Sequence, residues 1–339
     1  MPEGSTLAVE EVRTPAGLEA LRGEWRELWE RTPAATTFQS PAWLIPWWRH
    51  FGNGDAVTLV LRDRARLVGL AAFYVLREPE GRKLLAQGIG VSDYLDPLLE
   101  PGREAAAAAA IMRHLADIGG RFDWADLEGL RHGSPLLAAE PPLGWTAPVG
   151  PREPCPVLAL PASGAELSEH ARSRLARLPY YRRRAERLGT ALLESATRET
   201  LDATLGALAD LHGGRWSARG KPGVLADERV RAFHHDAACS LADEGLLRLY
   251  CLGIDGRPAA VFYGFTDRSR LHCYIGGFDS SLPHPGLGAL MLGHAVEQAV
   301  GAGLCEVHFL RGREPYKYAW GAVDLPMYGR RLARILPVS

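Results

Sequence analysis

The sequence has no run of about 18 uncharged apolar residues, which is the length that a membrane-spanning helix requires. Its first stretch, MPEGSTLAVEEVRTP, is acidic and places no basic segment before an apolar one, unlike a secretory signal. These two absences predict a soluble, cytoplasmic protein that has no membrane partner.

Cysteine is scarce, and the common motifs of metal and nucleotide chemistry are missing. The five cysteines are widely spaced along 339 residues and include no CxxC pair, which excludes a disulfide framework and the usual zinc-binding spacing. The sequence also lacks HExxH, GxxxxGK[ST], a full GxGxxG and an ordered set of Ser, His and Asp. We therefore expect no metal cofactor and no nucleotide-hydrolysing loop.

An excess of charge of one sign is missing as well, since 39 Lys and Arg face 40 Asp and Glu. The chain as a whole therefore has no electrostatic preference for nucleic acid or an anionic surface. One local exception lies within residues 171–189, where seven arginines between Arg172 and Arg187 face away from an apolar helical stripe. This segment is either a solvated pair of helices interrupted at Pro179 or a surface for a polyanion such as tRNA.

Apolar residues, by contrast, are plentiful, and at 47% of the chain they suffice for the cores of two domains. A stretch rich in proline and glycine at 141–156 predicts a boundary that separates residues 1–150 from residues 151–339. In the second domain the pattern predicts three antiparallel strands at 246–254, 258–266 and 271–278. A helix at 286–303 follows, and then a strand at 305–310 that runs parallel to the third strand.

The first half repeats this order of elements. Its pattern predicts strands at 56–62, 66–76, 83–91 and 124–130 and a helix at 104–119. Trp124 and Glu306 then occupy matching places in the two halves. The sequence thus predicts a mixed α/β (α+β) fold of two tandem domains, each a mostly antiparallel sheet flanked by helices.

The central helices of the two halves begin differently. The second-half helix follows HPGLGAL, where Gly286 and Gly288 leave the first-turn N–H groups accessible to an anion. The first-half helix follows EPGREAAA, where Glu100 and Glu104 would repel a phosphate. If either half binds a phosphorylated cofactor, we expect it to be the second. A tight turn with close packing is the alternative explanation of the glycine pair.

Candidate catalytic residues surround the loop FLRGREPYKYAWG, residues 309–321. The phenol of Tyr316 can protonate a leaving thiolate, and the Lys317 ammonium can hold a phosphate or a developing oxyanion. His308, just before the loop, is a candidate base. The alternative is a short helix in which Tyr316 and Trp320 pack inward and Lys317 is solvated, with His308 as a hydrogen-bonded interior residue.

Two further segments contain candidate acceptor contacts. VSDYLDPLL, residues 91–99, puts Asp93 and Tyr94 beside an apolar strand, where they could receive a cationic amine, although carboxylates there more often form turns. LHGGRWSARGKPG, residues 211–223, includes Arg215 and Trp216, and its glycines predict a mobile loop after a helix.

The order of these segments is similar to that of one known group. The chain contains FQSPAWLIPWW, SDYLDPLL, RWSARGKPG, LLRLYCLGIDGRPAAVFYGF, GLGALMLGHAVEQAVGAGL and FLRGREPYKYAWG. In this order they resemble the CelD-like branch of the GNAT acyltransferase superfamily, whose tandem domains are similar to those of the FemABX aminoacyltransferases. The resemblance spans residues 38–332, and the closing motif is its most specific part.

The resemblance implies N-acyl transfer from acetyl-CoA or another acyl-CoA to a small-molecule amine, such as an amino sugar or amino acid, without a metal. It implies that Tyr316 protonates the thiolate, that His308 or a water takes the amine proton, and that Lys317 stabilises charge. Acceptor contacts would come from Asp93, Tyr94, Arg215 and Trp216. The CoA contacts that it implies are Gly286, Leu287, Gly288, Ala289, Tyr274, Ile275, Gly276 and Arg311.

Two positions depart from the group's pattern. His308 stands where the group usually has Asp, so an imidazole would replace a carboxylate. Pro283-His284-Pro285 stands where GNAT domains usually have Gln or Arg before the glycines, which predicts an altered CoA site. FemABX-like members with reduced phosphate loops use aminoacyl-tRNA, a donor that the arginine segment would suit. A non-catalytic binding protein that kept the fold is the remaining alternative.

Overall fold

The computed structural model of the chain describes residues 7–161, 166–217, 220, 222–282 and 286–335, except for the side chains of residues 215 and 217. The chain divides into two compact units. Residues up to 153, together with those from 325 onward, form the first unit, and residues 154–324 form the second. Each unit has a mostly antiparallel sheet with helices beside it, so the predicted fold class is confirmed.

The elements of the first unit follow the predicted order of strands and helix, with an added helical segment at the start. They are β1 (Ala8–Val12), α1 (Pro15–Ala20), α2 (Arg22–Arg31), α3 (Pro41–Phe51), β2 (Asp55–Asp63), β3 (Arg66–Glu78), β4 (Gly81–Ala86), β5 (Leu98–Leu99), α4 (Glu104–Asp117), β6 (Trp124–Arg131), α5 (Pro135–Ala138) and β7 (Trp145–Thr146). The strand β8 (Val149–Ala159) then crosses the division between the units.

The second unit contains the longer helices. Its elements are α6 (Glu169–Ala176), α7 (Leu178–Glu186), β9 (Ala191–Ser195), α8 (Leu201–Ser217), α9 (Glu228–Asp243), β10 (Leu247–Ile254), β11 (Arg257–Asp267), β12 (Arg270–Phe278), α10 (Leu287–Gly301), β13 (Glu306–His308) and α11 (Pro315–Tyr318). The last strand, β14 (Val323–Arg334), lies almost entirely in the first unit.

In the first unit the strands pair in the order β1, β2, β3, β4, β6 and β14. All of these pairs are antiparallel except β4 with β6, which is parallel. Buried residues of the sheet and of α4, among them Ile111, Leu115 and Leu332, form one core cluster. Apolar residues of α4 recur at helical spacing, which explains why this alanine-rich segment packs on the sheet.

In the second unit the order is β8, β13, β12, β11, β10 and β9. The hairpin β10–β11 turns at Asp255, which has a positive φ of 49°, and Gly256. β12 follows antiparallel to β11 and β13 runs parallel to β12. The hairpin, the third strand and the parallel return strand are therefore confirmed. The helix α10 packs on one face of this sheet, where Leu290 and Val296 are buried in the core.

Three features differ from the expectation. The third strand of the first half ends at Ala86 instead of continuing to residue 91, because Gly88 and Gly90 adopt positive φ and turn the chain. Arg215 and Trp216 lie within α8 and not in a loop. The residues from 325 belong with the first unit, although the predicted second domain extended to residue 339. They do so because β14 pairs with β6 over Met327–Ala333, a long-range partner that no local pattern reveals.

Candidate functional site

The second unit contains a cavity of about 530 Å³ between the start of α10, the second half of β12 and α11. Its wall is mainly apolar and aromatic, with Phe262, Phe278 and Met291 among its members. Arg174 and Asp279 are the charged side chains among the described residues that line it. A concave, apolar space with a few polar groups is the usual form of a small-molecule site.

The cavity follows from the divergence of β12 and β13. These parallel strands pair only over Arg270–His272 and Glu306–His308. The residues of β12 beyond this pairing, Cys273 to Phe278, all line the cavity. The cavity therefore lies where the two strands separate, as ligand sites do at the diverging strand ends of other α/β sheets.

The start of α10 forms another side of the cavity. Gly286 is its N-cap and has a left-handed backbone with φ 69°. A Cβ on Gly286 would lie 2.8 Å from the Tyr181 ring, and one on Gly288 would lie 3.1 Å from the Phe278 ring. Close packing therefore explains both glycines. The residues Gly286 to Ala289 also line the cavity, where the first-turn N–H groups have no partner within the helix.

Gly276 opens the wall of the cavity in β12. A Cβ on this residue would meet only the Val261 carbonyl oxygen, at 3.7 Å, whereas one on Gly277 would lie 2.9 Å from the His212 nitrogen. The backbone of Gly276 does not have a positive φ. A larger side chain would therefore fit the strand at Gly276 and project into open space.

Tyr316 and Trp320 line the cavity from α11 and the residues after it. Tyr316 is 51% exposed, and its ring packs edge-on against Phe309 at 6.4 Å. Trp320 is buried in the core. The short helix begun by Pro315 is confirmed. The expectation that Tyr316 packs inward is wrong, because its ring lies at the mouth of the cavity.

Lys317 is buried instead of solvated, with only 2% exposed. Its Nζ donates to the carbonyl oxygens of Leu310, Arg311 and Gly312 at 3.0, 2.6 and 3.1 Å. It also lies 2.9 Å from a carboxylate oxygen of Glu314. Because an ammonium has three hydrogens, these acceptors use its whole donor capacity. In this structure Lys317 holds the loop at 310–314 in shape and does not line the cavity.

His308 belongs to a buried polar group beside the point where the strands diverge. Its Nε2 lies 2.8 Å from Glu306 Oε2, and its ring centroid lies 4.9 Å from that of His272. His272 in turn lies 2.8 Å from Asp267, which also pairs with Arg270. Burial lowers the pKa of His308 to about 4, so the imidazole is neutral at pH 7. A neutral ring donates its N–H to Glu306, whose pKa that hydrogen bond lowers.

Eight predicted residues therefore surround one cavity, namely Tyr274, Ile275, Gly276, Gly286, Leu287, Gly288, Ala289 and Tyr316. Arg311 is exposed and does not line it. Trp216, in α8, donates to His212 Nε2 at 2.8 Å. The side chain of Arg215 and the segment Pro283-His284-Pro285 lie outside the described residues. The cofactor and acceptor roles given to all these residues stay predictions.

Asp93 and Tyr94 lie in the first unit, where the aromatic side chains are densely packed. Tyr94 has 0% exposure and packs against Phe38 at 5.8 Å and beneath the Arg131 guanidinium at 5.4 Å. A cavity beside Phe38 in this unit has a volume of only about 20 Å³. Tyr94 therefore packs in the interior of the first unit, and its contact with an acceptor stays a prediction.

Among the residues of the cavity wall that the sequence patterns missed, two come from the arginine-rich segment. Arg174 of α6 lines the cavity, and its Nε donates to the Ala319 carbonyl oxygen at 3.2 Å. Tyr181 of α7 lines it beside Gly286. Both lie in the arginine-rich segment, but composition alone did not distinguish them from their solvated neighbours. The glycine at 286 was the available signal, since it implied that some bulky group approaches that backbone.

Known proteins are similar to this chain in one domain and in fold. Residues 172–318 match the family model described as acetyltransferase (GNAT) domain. A comparison with curated proteins gives no match. Among solved structures the chain is similar to FemX, with TM-score 0.65, 11% identity and coverage of 95% of this chain and 96% of that chain.

Two other structures have the same architecture. One is L-PGS from Bacillus licheniformis, with TM-score 0.60, 15% identity and coverage of 97% and 94%. The other is a tandem GNAT protein from the clavulanic acid biosynthesis pathway, with TM-score 0.50, 13% identity and coverage of 98% and 100%. At these identities the likeness shows the fold alone. The chain therefore has the fold of tandem GNAT proteins, and its residues 172–318 match the GNAT acetyltransferase domain model. Its place in the CelD-like branch stays a prediction.

The described residues lack two further features. No helix in those ranges combines the length and the apolar character that a membrane span needs. In the same residues, no three His, Cys, Asp or Glu side chains are grouped as metal ligands would be.

Replacement of Lys317 by Met should destabilise the protein by about 2–4 kcal/mol, because three inward carbonyl groups lose their donor. Urea unfolding at pH 7.5 measures this change. The control is Arg313→Met, since Arg313 is exposed and pairs with Asp324 at the surface; we expect less than about 1 kcal/mol there. A Lys317→Met protein of wild-type stability would show that the ammonium does not hold the loop.

Stability should fall as pH drops from 6.5 toward 4, because His308 is neutral when folded but binds a proton when unfolded. This histidine contributes up to about 1.4 kcal/mol per pH unit in that window, and the contribution is fully present above pH 6.5. His308→Gln should reduce the slope of unfolding free energy against pH accordingly. His170→Gln, at an exposed position, is the control. An unchanged slope in His308→Gln contradicts the assignment.

Proposed function

We propose that the protein is an acyl-CoA-dependent N-acyltransferase that binds its donor in the cavity of the second unit. One observation supports this most directly: the part of β12 beyond its pairing with β13, the glycine start of α10 and the Tyr316 phenol all border the same cavity. A thioester donor needs an extended slot for its arm, an anion site for its diphosphate and an acid for its leaving thiolate.

The donor would lie along β12, with its diphosphate at the first turn of α10. Amides at the start of a helix attract an anion and contribute about 0.3–1 kcal/mol at an exposed end. The pantetheine arm would then run along the second half of β12, past Gly276. Its thioester would reach the point where β12 and β13 separate, near Cys273. The pKa of the Cys273 thiol is raised by burial, so this residue is a poor nucleophile and the transfer is direct.

In the chemical step a neutral amine attacks the thioester carbonyl carbon. The C–N bond forms, the C–S bond breaks, and Tyr316 gives its proton to the departing sulfur. The proton released by the amine passes to water. His308 is neutral at pH 7 and does not line the cavity. We therefore assign it to the support of the neighbouring strand ends and not to direct abstraction of the amine proton. The acceptor we propose is a small-molecule amine, and the match to an acetyltransferase (GNAT) domain supports this choice.

A second donor, aminoacyl-tRNA, is favoured by one specific observation. Four arginines in or next to α6 and α7 are exposed, namely Arg172, Arg177, Arg183 and Arg187. A cluster of this kind neutralises phosphates along a nucleic-acid backbone, and the resulting affinity falls steeply with salt.

Gly276→Val should abolish binding of acetyl-CoA and octanoyl-CoA, because the new side chain fills the slot beside β12. Isothermal calorimetry should show at least about a 30-fold loss of affinity, equal to about 2 kcal/mol. Gly253→Val is the matched control: Gly253 is a strand glycine in β10 whose added Cβ would make only ordinary contacts with two carbonyl oxygens, at 3.8 and 3.9 Å. This variant should bind normally. Equal binding by wild type and Gly276→Val contradicts the proposed slot.

Tyr316→Phe should lower kcat by about 10²-fold or more with little change in KM, because a proton donor is lost while the ring remains. Thiol release from acyl-CoA in the presence of an amine panel measures this rate. Tyr318→Phe is the control, since that hydroxyl donates to Asp324 at 2.7 Å and does not line the cavity. Full turnover by Tyr316→Phe would remove the phenol from the mechanism.

A further inference from the structure

We infer that the acyl thioester is presented to the cavity by a small acidic carrier protein, which docks on the arginine surface of α6 and α7. This inference rests on the proposed function, because it assumes that the cavity takes a thioester arm. It names the source of that arm. A carrier protein holds the acyl group on phosphopantetheine, the same arm that CoA has.

The docking surface is defined by Arg172, Arg177, Arg183, Arg184 and Arg187. Four of these side chains are exposed, and Arg184 is half-buried beside Tyr180. Between residues 166 and 189 there are seven arginines and three glutamates, although the whole chain has a formal charge of -1. The positive charge is therefore concentrated here. Such a patch favours an acidic partner and accelerates its association.

The patch is held in place by its apolar side. Leu178 and Ala185 are buried in the core beneath α7, and the Leu178 side chain lies over Gly293 of α10. Arg182 pairs with Glu297 of the same helix. Because α7 is fixed on α10 in this way, Arg183 and Arg187, one turn apart, remain on its solvent side.

The patch is continuous with the cavity. Arg174 lines the cavity itself, and Arg177 lies over the ring of Tyr181 at 5.9 Å, while Tyr181 also lines the cavity. A carrier docked on α6 and α7 would therefore have its phosphopantetheine at the cavity mouth. Arg174 would face the phosphodiester of the arm, and the uncharged remainder would enter along β12.

The distribution of charge favours a carrier over free CoA as the better donor. CoA has several phosphate groups close to its arm, but Arg174 is the cation among the described residues of the cavity wall, and Asp279 adds a negative charge there. A carrier has one phosphodiester on the arm and its acidic side chains outside. The single internal cation and the external arginines match that arrangement.

The aromatic residues of the patch argue against single-stranded RNA. Proteins that bind single strands present free aromatic faces on which bases stack. Here the Tyr181 ring is covered by Gly286 and Arg177. The Tyr180 ring packs against Tyr181 and lies beneath Arg184 at 5.5 Å. Tyr180 is 44% exposed, but an arginine already lies over each of the two rings, so the patch provides charge more than a base-stacking platform.

The transfer step keeps its atom balance. The amine nitrogen bonds to the acyl carbon, the bond from that carbon to the arm's sulfur breaks, and the carrier leaves as a free thiol. The thiol takes its proton from Tyr316, and the amine proton passes to water. No oxidant, reductant or metal is required.

The test measures binding of three probes to the full chain by fluorescence anisotropy at 50 and 300 mM NaCl. The probes are a bacterial fatty-acid carrier protein with an amide-linked octanoyl arm, octanoyl-CoA and bulk tRNA. We expect the loaded carrier to bind at least about 10-fold more tightly than octanoyl-CoA at 50 mM salt, and to lose most of this advantage at 300 mM.

Arg183→Glu with Arg187→Glu should weaken carrier binding about 10-fold or more and change octanoyl-CoA binding less than about 2-fold. The control is Arg198→Glu with Arg229→Glu, which makes the same charge change at exposed positions beside α8 and in α9. Gly276→Val should weaken both thioester probes, because they share the arm.

Three results would overturn the inference. If the carrier binds no better than octanoyl-CoA, or if the double variant weakens binding of both probes alike, the carrier inference is contradicted. The proposal of acyl transfer from CoA is then unaffected. If tRNA binds and the double variant removes that binding while the carrier does not bind, the surface serves RNA. If neither thioester probe binds the folded protein, this inference and the proposed function fail together.

Discussion

The site depends on one constraint of strand geometry, the separation of β12 from β13 after three residue pairs. If the parallel pairing continued, the six residues from Cys273 to Phe278 would satisfy their backbone groups in the sheet and leave no slot. Each strand is held apart by other partners: β12 stays paired with β11 up to Phe278, and β13 pairs with β8 on its far side. The opening is therefore built into the sheet itself.

The loop that follows β13 leads to the residues that line this opening, and a buried cation fixes its shape. Leu310 has a positive φ of 60°, an unfavourable conformation for a side chain with a Cβ, and Gly312 has φ 112°. These backbone angles turn three carbonyl groups toward Lys317, which binds them all. The neighbouring Tyr316 is thereby directed toward the cavity. A lysine that the sequence suggested as a catalytic cation thus acts on the backbone that presents the candidate acid.

Local patterns predicted what local physics determines. Alternation, the Asp255-Gly256 turn and helical spacing were enough to place β10, β11, β12 and α10, and the glycine start of α10 indicated the cavity wall. They could not show which way Tyr316 and Lys317 face. A helix of four residues is only about one turn long, so its sequence contains no repeating pattern of apolar and polar residues that would identify its buried side. They also could not show that β14 returns to the first unit, since strand pairing over nearly 200 residues leaves no local trace.

The two units show why one fold repeated in a chain does not imply two sites. Both contain a parallel pair beside antiparallel strands, β4 with β6 and β12 with β13. In the first unit Phe38, Trp43 and Tyr94 pack together with almost no exposure, and the Glu104 side chain accepts from the Gly102 N–H at the start of α4. In the second unit glycines occupy the corresponding helix start, and a cavity remains. Side chains that fill or vacate the space beside the diverging strands therefore decide which unit has a cavity at that place, and the topology alone does not.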